Sequence, residues 1–95
     1  MSARAFPPAK FKLGQLVSTP NAISKLSNED VLMGIQRHQA GDWGDVDEHD
    51  RQENELSLKQ GFRLLSVYHT ANGTKFWIFT EADRSATTVL LPEDY

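Results

Sequence analysis

The sequence predicts an α+β domain: an N-terminal strand, two or three short helices, then a three-stranded antiparallel β-meander, with the helices packed on one face of the sheet. Residues 19–60 carry helix-capping residues and helical apolar spacing. Residues 62–92 change to short runs of aromatic and β-branched residues separated by turn residues. A chain of 95 residues suffices for one domain. We assign it to residues 11–95, after a flexible arm at 1–10 that has two prolines.

The first strand and two helices follow from local signals. Residues 11–19, "FKLGQLVST", alternate as a short strand does, and Gly14 indicates a bulge or a close backbone approach. Thr19 is expected to cap the first helix, with Pro20 at its first position. Ser27 is expected to cap a second helix, which Gly41 ends. The residues expected to form the buried stripe of this helix are Val31, Leu32, Ile35 and His38.

A third helix and three strands complete the predicted fold. Asp47 is expected to cap the helix and Gly61 to end it. The runs "FRLLSVYHT" and "KFWIFTE" flank Asn72-Gly73, the pair favoured in a two-residue type I′ hairpin turn. A second turn, "ADRS", is expected to point Arg84 into solvent before the last strand, "ATTVLLP".

Composition and charge exclude several classes of protein. The chain has no cysteine, which excludes disulfides and thiolate metal sites. Its longest aliphatic run is three residues and its first twenty residues lack the apolar stretch of a signal peptide, so we expect a soluble, cytoplasmic protein without membrane contact. The net charge is −3 and no basic cluster is present, so direct nucleic-acid binding is not expected.

Negative charge is concentrated in residues 42–55, which hold seven of the thirteen acidic residues, with Trp43 between two glycines. Trp43 has two interpretations: a plug beneath its loop, which we favour, or an exposed anchor at an interface. The leading hypothesis is a non-enzymatic protein that uses this segment to bind a basic protein partner, without a cofactor, metal or catalytic residue. The residues expected to bind the partner are Asp42, Trp43, Asp45, Asp47, Glu48 and Asp50.

Two alternatives remain open. Asp42, Asp45 and the histidines His38 and His49 would suit a small metal-dependent hydrolase or nuclease, because carboxylates can hold Mg²⁺ through waters without a linear motif. No EF-hand spacing or paired-histidine motif supports such a site. In the other alternative the chain is a self-associating structural protein, a homodimer paired through an edge strand such as residues 86–91.

Two segments, "GDWGD" at 41–45 and "TEADRSATTVLLP" at 80–92, carry a resemblance that covers about residues 11–95. The chain resembles a family of small uncharacterised bacterial proteins of similar length, often encoded on plasmids and integrated mobile elements. Some members carry a label that mentions a type I restriction modification subunit, although this chain lacks the glycine-rich cofactor loop of a methyltransferase. The resemblance implies a bacterial origin and an accessory role in mobile-element biology, with a host defence or DNA-processing protein as the partner.

Overall fold

The computed structural model of the protein describes residues 8–95. Most of the expected N-terminal arm, residues 1–7, lies outside the described residues, and residues 8–10 belong to no helix or strand. The elements, in chain order, are β1 (Gln15–Ser18), α1 (Pro20–Lys25), α2 (Asn28–Gln39), α3 (Glu48–Gln60), β2 (Leu64–His69), β3 (Lys75–Thr80), β4 (Ala86–Leu90) and a 3₁₀ turn (Pro92–Asp94). The predicted α+β class is confirmed.

The four strands form one mixed sheet in the order β1-β4-β3-β2. The pairs β2–β3 and β3–β4 are antiparallel, as the predicted meander requires, and β1 joins β4 in parallel. The strand at residues 86–91 is therefore not an edge, and that expectation is wrong. The edge of β4 that faces away from β3 is occupied by β1, in which Gln15 pairs with Ala86 and Ser18 pairs with Val89.

The sheet has one covered and one open face. Alternate residues of β2, β3 and β4, among them Leu64, Ile78 and Val89, are buried on the inner face. There they form a core with residues of α1, and residues of α2 pack against it. The opposite, outer face has half-buried residues. Helix α3 instead lies beside the edge strand β2, where the Asn54 amide bonds to the backbone of Leu65.

Helix starts agree with the predictions, because each capping side chain binds a backbone N–H three residues on. Thr19, Ser27 and Asp47 accept from the N–H groups of Ala22, Asp30 and Asp50.

The predicted stripe of α2 is partly wrong. Leu32 is 57% exposed, and the residue that faces the core is Gly34. A Cβ on Gly34 would lie 3.0 Å from atoms of Phe76 and Ile78, so the helix approaches the sheet through its glycine.

Both hairpin turns differ from their predictions. Asn72 does not adopt a positive φ, and only Gly73 does so in a longer loop closed by hydrogen bonds between Thr70 and Thr74. The side chain of Asn72 stabilises this loop instead, because it accepts from both threonine hydroxyls. Arg84 does not point into solvent. Its guanidinium donates to four backbone carbonyl oxygens: two in its own turn, one in the last turn of α3 (Ser57) and one just after that helix (Phe62).

Candidate functional site

Most carboxylates of the acidic segment are engaged within the chain. Asp42 accepts from the Arg37 guanidinium at 2.7 and 3.2 Å, and this hydrogen bond lowers the pKa of Asp42. Asp45 lies 2.7 Å from Nδ1 of His69. Glu48 pairs with Arg51, which lowers the pKa of Glu48. Arg37 and Arg51 thus neutralise Asp42 and Glu48, and Asp45 already has a hydrogen-bond partner within the chain.

Trp43 is buried, with only 3% of its surface exposed. Its indole Nε1 donates to Glu55 at 2.8 Å. Its ring stacks on Phe11 at 6.2 Å between centroids and meets the edge of His38 at 5.7 Å. Trp43 is therefore the plug beneath its loop, the first of its two interpretations, and it does not present an exposed indole to a partner.

The residues of the metal-dependent alternative are not brought together. His38 is fully buried in the core, while Asp42 and Asp45 engage Arg37 and His69 at the surface. His49 lies on α3, among the residues that line a separate groove. Within residues 8–95 no group of three or more His, Asp or Glu side chains could hold a metal ion.

His38 is the centre of a buried polar network. Its Nδ1 lies 2.6 Å from the Ser66 hydroxyl, and its Nε2 lies 2.8 Å from the Thr80 hydroxyl. Thr80 contacts the Thr87 hydroxyl at 2.8 Å, and Thr87 donates to the carbonyl oxygen of Leu13 at 2.7 Å.

Since each hydroxyl donates only one proton, the bond from Thr87 to Leu13 fixes two others: Thr80 donates to Thr87, and Nε2–H of His38 donates to Thr80. Burial, reinforced by the positive charge of Arg84, lowers the pKa of His38 to about 3. The imidazole is therefore neutral with its proton on Nε2, and Nδ1 accepts from the Ser66 hydroxyl. This network joins α2 to three strands and serves the fold.

Two carboxylates of the acidic region remain unpaired and face a groove. Asp50 and Glu53 lie three residues apart on one side of α3, and within residues 8–95 neither has an ion-pair partner. Both line a cavity of about 410 Å³ between α3 and the outer face of the sheet. Asp50 was among the expected partner-binding residues, whereas Glu53 was not.

The floor of the groove is apolar. Leu65 of β2 and Phe79 of β3 are cross-strand neighbours on the outer face and line it, together with the exposed rings of Phe62 and Tyr95. The guanidinium of Arg63 lies 5.3 Å from the centre of the Phe79 ring, a cation–π contact. The groove thus combines an aromatic floor, one cation already held against it, and two carboxylates on its wall.

The apolar residues of the groove could have been recognised from the strands. In "LLSVYH" and "KFWIFT" the residues that point to either face of the sheet are largely apolar. A sheet covered by helices on one face therefore leaves apolar residues on the other. The partial cover of that second face by α3 depends on the three-dimensional path of residues 42–47, which has no sequence periodicity.

Comparison with known proteins gives no assignment: no protein-family model, curated protein or solved structure matches the chain. Within residues 8–95 no helix is both long and apolar enough to cross a membrane.

Proposed function

We propose that this chain is a non-enzymatic protein-binding protein, and that the groove between α3 and the outer sheet face takes a basic segment of its partner. The observation that carries the proposal is the pair Asp50 and Glu53, unpaired beside an apolar floor. A side chain with an aliphatic stem and a cationic head, lysine or arginine, matches both features.

The partner-binding set proposed from sequence is narrowed by this geometry. Asp42 and Glu48 are held in ion pairs, Asp45 contacts the His69 ring, Asp47 caps α3, and Trp43 is buried. These residues position the loop and the helix. In this proposal Asp50 and Glu53 bind the basic segment of the partner, and the aromatic floor lies beneath them.

Arg63 supports the choice of a basic ligand. Its guanidinium already lies over Phe79, so the floor accepts a cation within the chain itself. A ligand arginine would use the same kind of contact and would compete with Arg63 for the ring. The resemblance to mobile-element proteins adds the proposed setting, an accessory role whose partner is a host defence or DNA-processing protein.

A defined peptide tests this proposal. We would titrate a capped peptide of alternating arginine and leucine, and the same peptide with glutamate for arginine, into ¹⁵N-labelled protein. The basic peptide should shift the amide signals of Glu53, Arg63 and Phe79, and the acidic peptide should not. The affinity should fall as salt is added, because charge pairs at the surface are screened.

Variants separate the groove from general charge. Asp50→Asn with Glu53→Gln removes two ion pairs of about 0.2–1 kcal/mol each, so the Kd should rise roughly two- to thirtyfold. Glu29→Gln with Asp30→Asn makes the same change of charge on α2, outside the groove, and should leave the Kd unchanged. An equal loss in both double variants, or an absence of shifts at the groove, would refute the proposal.

A further inference from the structure

The two edges of the sheet differ in how their backbone is satisfied. At the β2 edge, Asn54 donates its amide N–H to the carbonyl of Leu65 at 2.7 Å and accepts from the Leu65 N–H at 3.1 Å. Val67 is the next residue of β2 whose backbone groups point away from β3. Its N–H donates to the carbonyl of Trp43 at 3.1 Å, and its carbonyl accepts from the N–H of Asp45 at 2.7 Å. The β2 edge is therefore closed to an added strand.

The β1 edge has no such cover within the described residues. The N–H groups of Gln15 and Thr19 donate to the carbonyls of Ser85 and Val89, toward β4. Because backbone groups alternate along a strand, the N–H and C=O groups of Leu16 and Ser18 point away from β4. The strand is uncharged and has no proline, and Leu16 and Val17 are 54% and 41% exposed.

We propose that two copies of this chain pair through β1, antiparallel, about a two-fold axis that passes beside Val17. In this register Leu16 of each copy lies opposite Ser18 of the other, so that the backbone groups that point away from β4 face each other. Each such pair exchanges two backbone hydrogen bonds, so the interface gains four, and the two sheets become one continuous sheet of eight strands. This interface goes beyond the proposed groove and is independent of it.

The charges at the two ends of β1 favour a second copy in this orientation. The exposed Lys12 lies three residues before β1. At the other end, Asp94 accepts from the Thr19 hydroxyl at 2.6 Å and from Asn21 at 2.7 Å, and these bonds hold an anion beside the end of the strand. Antiparallel pairing about a two-fold axis brings the lysine end of each copy toward the aspartate end of the other, and the uncharged strands between them do not repel.

Single cysteines test the register, because the chain has no cysteine of its own. The two Val17 positions form a non-hydrogen-bonded pair with Cα atoms about 4.5 Å apart, within the range for a disulfide. Val17→Cys should therefore give a disulfide-linked dimer under mild oxidation. Gln15→Cys is the matched control on the same strand and face, and its two copies would lie about 14 Å apart and stay unlinked. Equal cross-linking of both variants, or none of Val17→Cys, would overturn the register.

The mass in solution tests the dimer itself. Analytical ultracentrifugation of the unmodified chain across a concentration series should approach twice 10.7 kDa. Val17→Lys should shift the mass to that of one chain, and so should Leu16→Pro, which removes an outward N–H that β4 does not use. Leu32→Lys adds the same charge at an exposed leucine of α2 and should stay dimeric. Thermal unfolding of each variant verifies the fold. A monomeric parent chain, or a dimer unaffected by both β1 variants, would overturn the proposal.

Discussion

Lowering the pH from 7 to 5 should destabilise the protein through His38. The imidazole is fully buried and accepts the Ser66 hydroxyl at Nδ1. A second proton would have to enter at that nitrogen. It would turn an acceptor into a donor facing Ser66 and place a charge in the core, near the cation of Arg84.

The magnitude follows from the pKa of His38, which falls from 6.5 to about 3 in the folded chain. Between these values the unfolded chain binds the proton and the folded chain does not. Stability is therefore complete above pH 6.5 and is lost as the pH falls toward 3. At 1.36 kcal/mol per unit, the free energy of unfolding at pH 5 should be about 2 kcal/mol lower than at pH 7. Carboxylates with lowered pKa, such as Asp42, lose their contribution only at more acidic pH.

Urea unfolding at several pH values measures this slope, and NMR titration of the ring signals shows which histidine is protonated. His38→Leu should lower the stability at pH 7, because the Ser66 hydroxyl loses its acceptor, but it should flatten the slope between pH 7 and 5. Asn54→Ala, which removes two hydrogen bonds but no titratable group, should keep the parent slope. A parent protein whose stability is constant from pH 7 to 5, or a slope that persists in His38→Leu, would refute the reasoning.

Two further predictions concern the backbone. Asn54→Ala leaves both backbone groups of Leu65 without their partner and should cost about 1–3 kcal/mol in urea unfolding, whereas an effect below 0.5 kcal/mol would show that water replaces the amide. Gly14→Ala should cost more than Gly73→Ala although both glycines have a positive φ, because a Cβ on Gly14 would lie 2.3 Å from a carbonyl oxygen, while Gly73 has open space. Gly73→Ala should lower the free energy of unfolding by about 1–2 kcal/mol, the cost of a left-handed backbone conformation alone. Equal losses in the two variants would contradict the close approach of Gly14 to residues 84 and 85.

The features predicted correctly from the sequence are those set by near neighbours. The caps Thr19, Ser27 and Asp47 each bind an N–H three residues away, so their signal lies within one turn of the chain. Gly14 is an exception: the glycine itself indicated a close backbone approach, but the backbone that it approaches belongs to residues 84 and 85, about seventy residues later.

The features that were missed depend on contacts between distant residues. The position of β4 inside the sheet depends on β1, seventy residues earlier, and the alternation of "ATTVL" is the same for an inner strand as for an edge. Arg84 looks like a solvent-exposed turn residue, but Ser57 in α3 and Phe62 just after that helix supply two of its acceptors. Leu32 fits the apolar spacing of α2, yet the sheet meets that helix at Gly34.

The acidic segment shows the same difference between features set by near neighbours and features set by distant contacts. Its acidic residues correctly predict a capped helix, but its net charge gives no indication of which carboxylates lack a partner within the chain. Asp42 pairs with Arg37 of α2 and Asp45 contacts His69 of β2, so the carboxylates left for a partner are Asp50 and Glu53. Their spacing of three residues was available in the sequence as a sign of a shared helix face.

The strand order also decides how the two proposed surfaces relate. β1 and β2 are opposite edges of the sheet, and the groove lies at the β2 side with α3. A dimer paired through β1 therefore keeps both grooves free, one at each end of the eight-stranded sheet. Such a dimer would bind two basic segments of one partner with a gain in avidity, which a monomeric β1 variant would lose while keeping its affinity for a single short peptide. Loss of the single-peptide affinity in that variant would instead mean that the two surfaces are coupled.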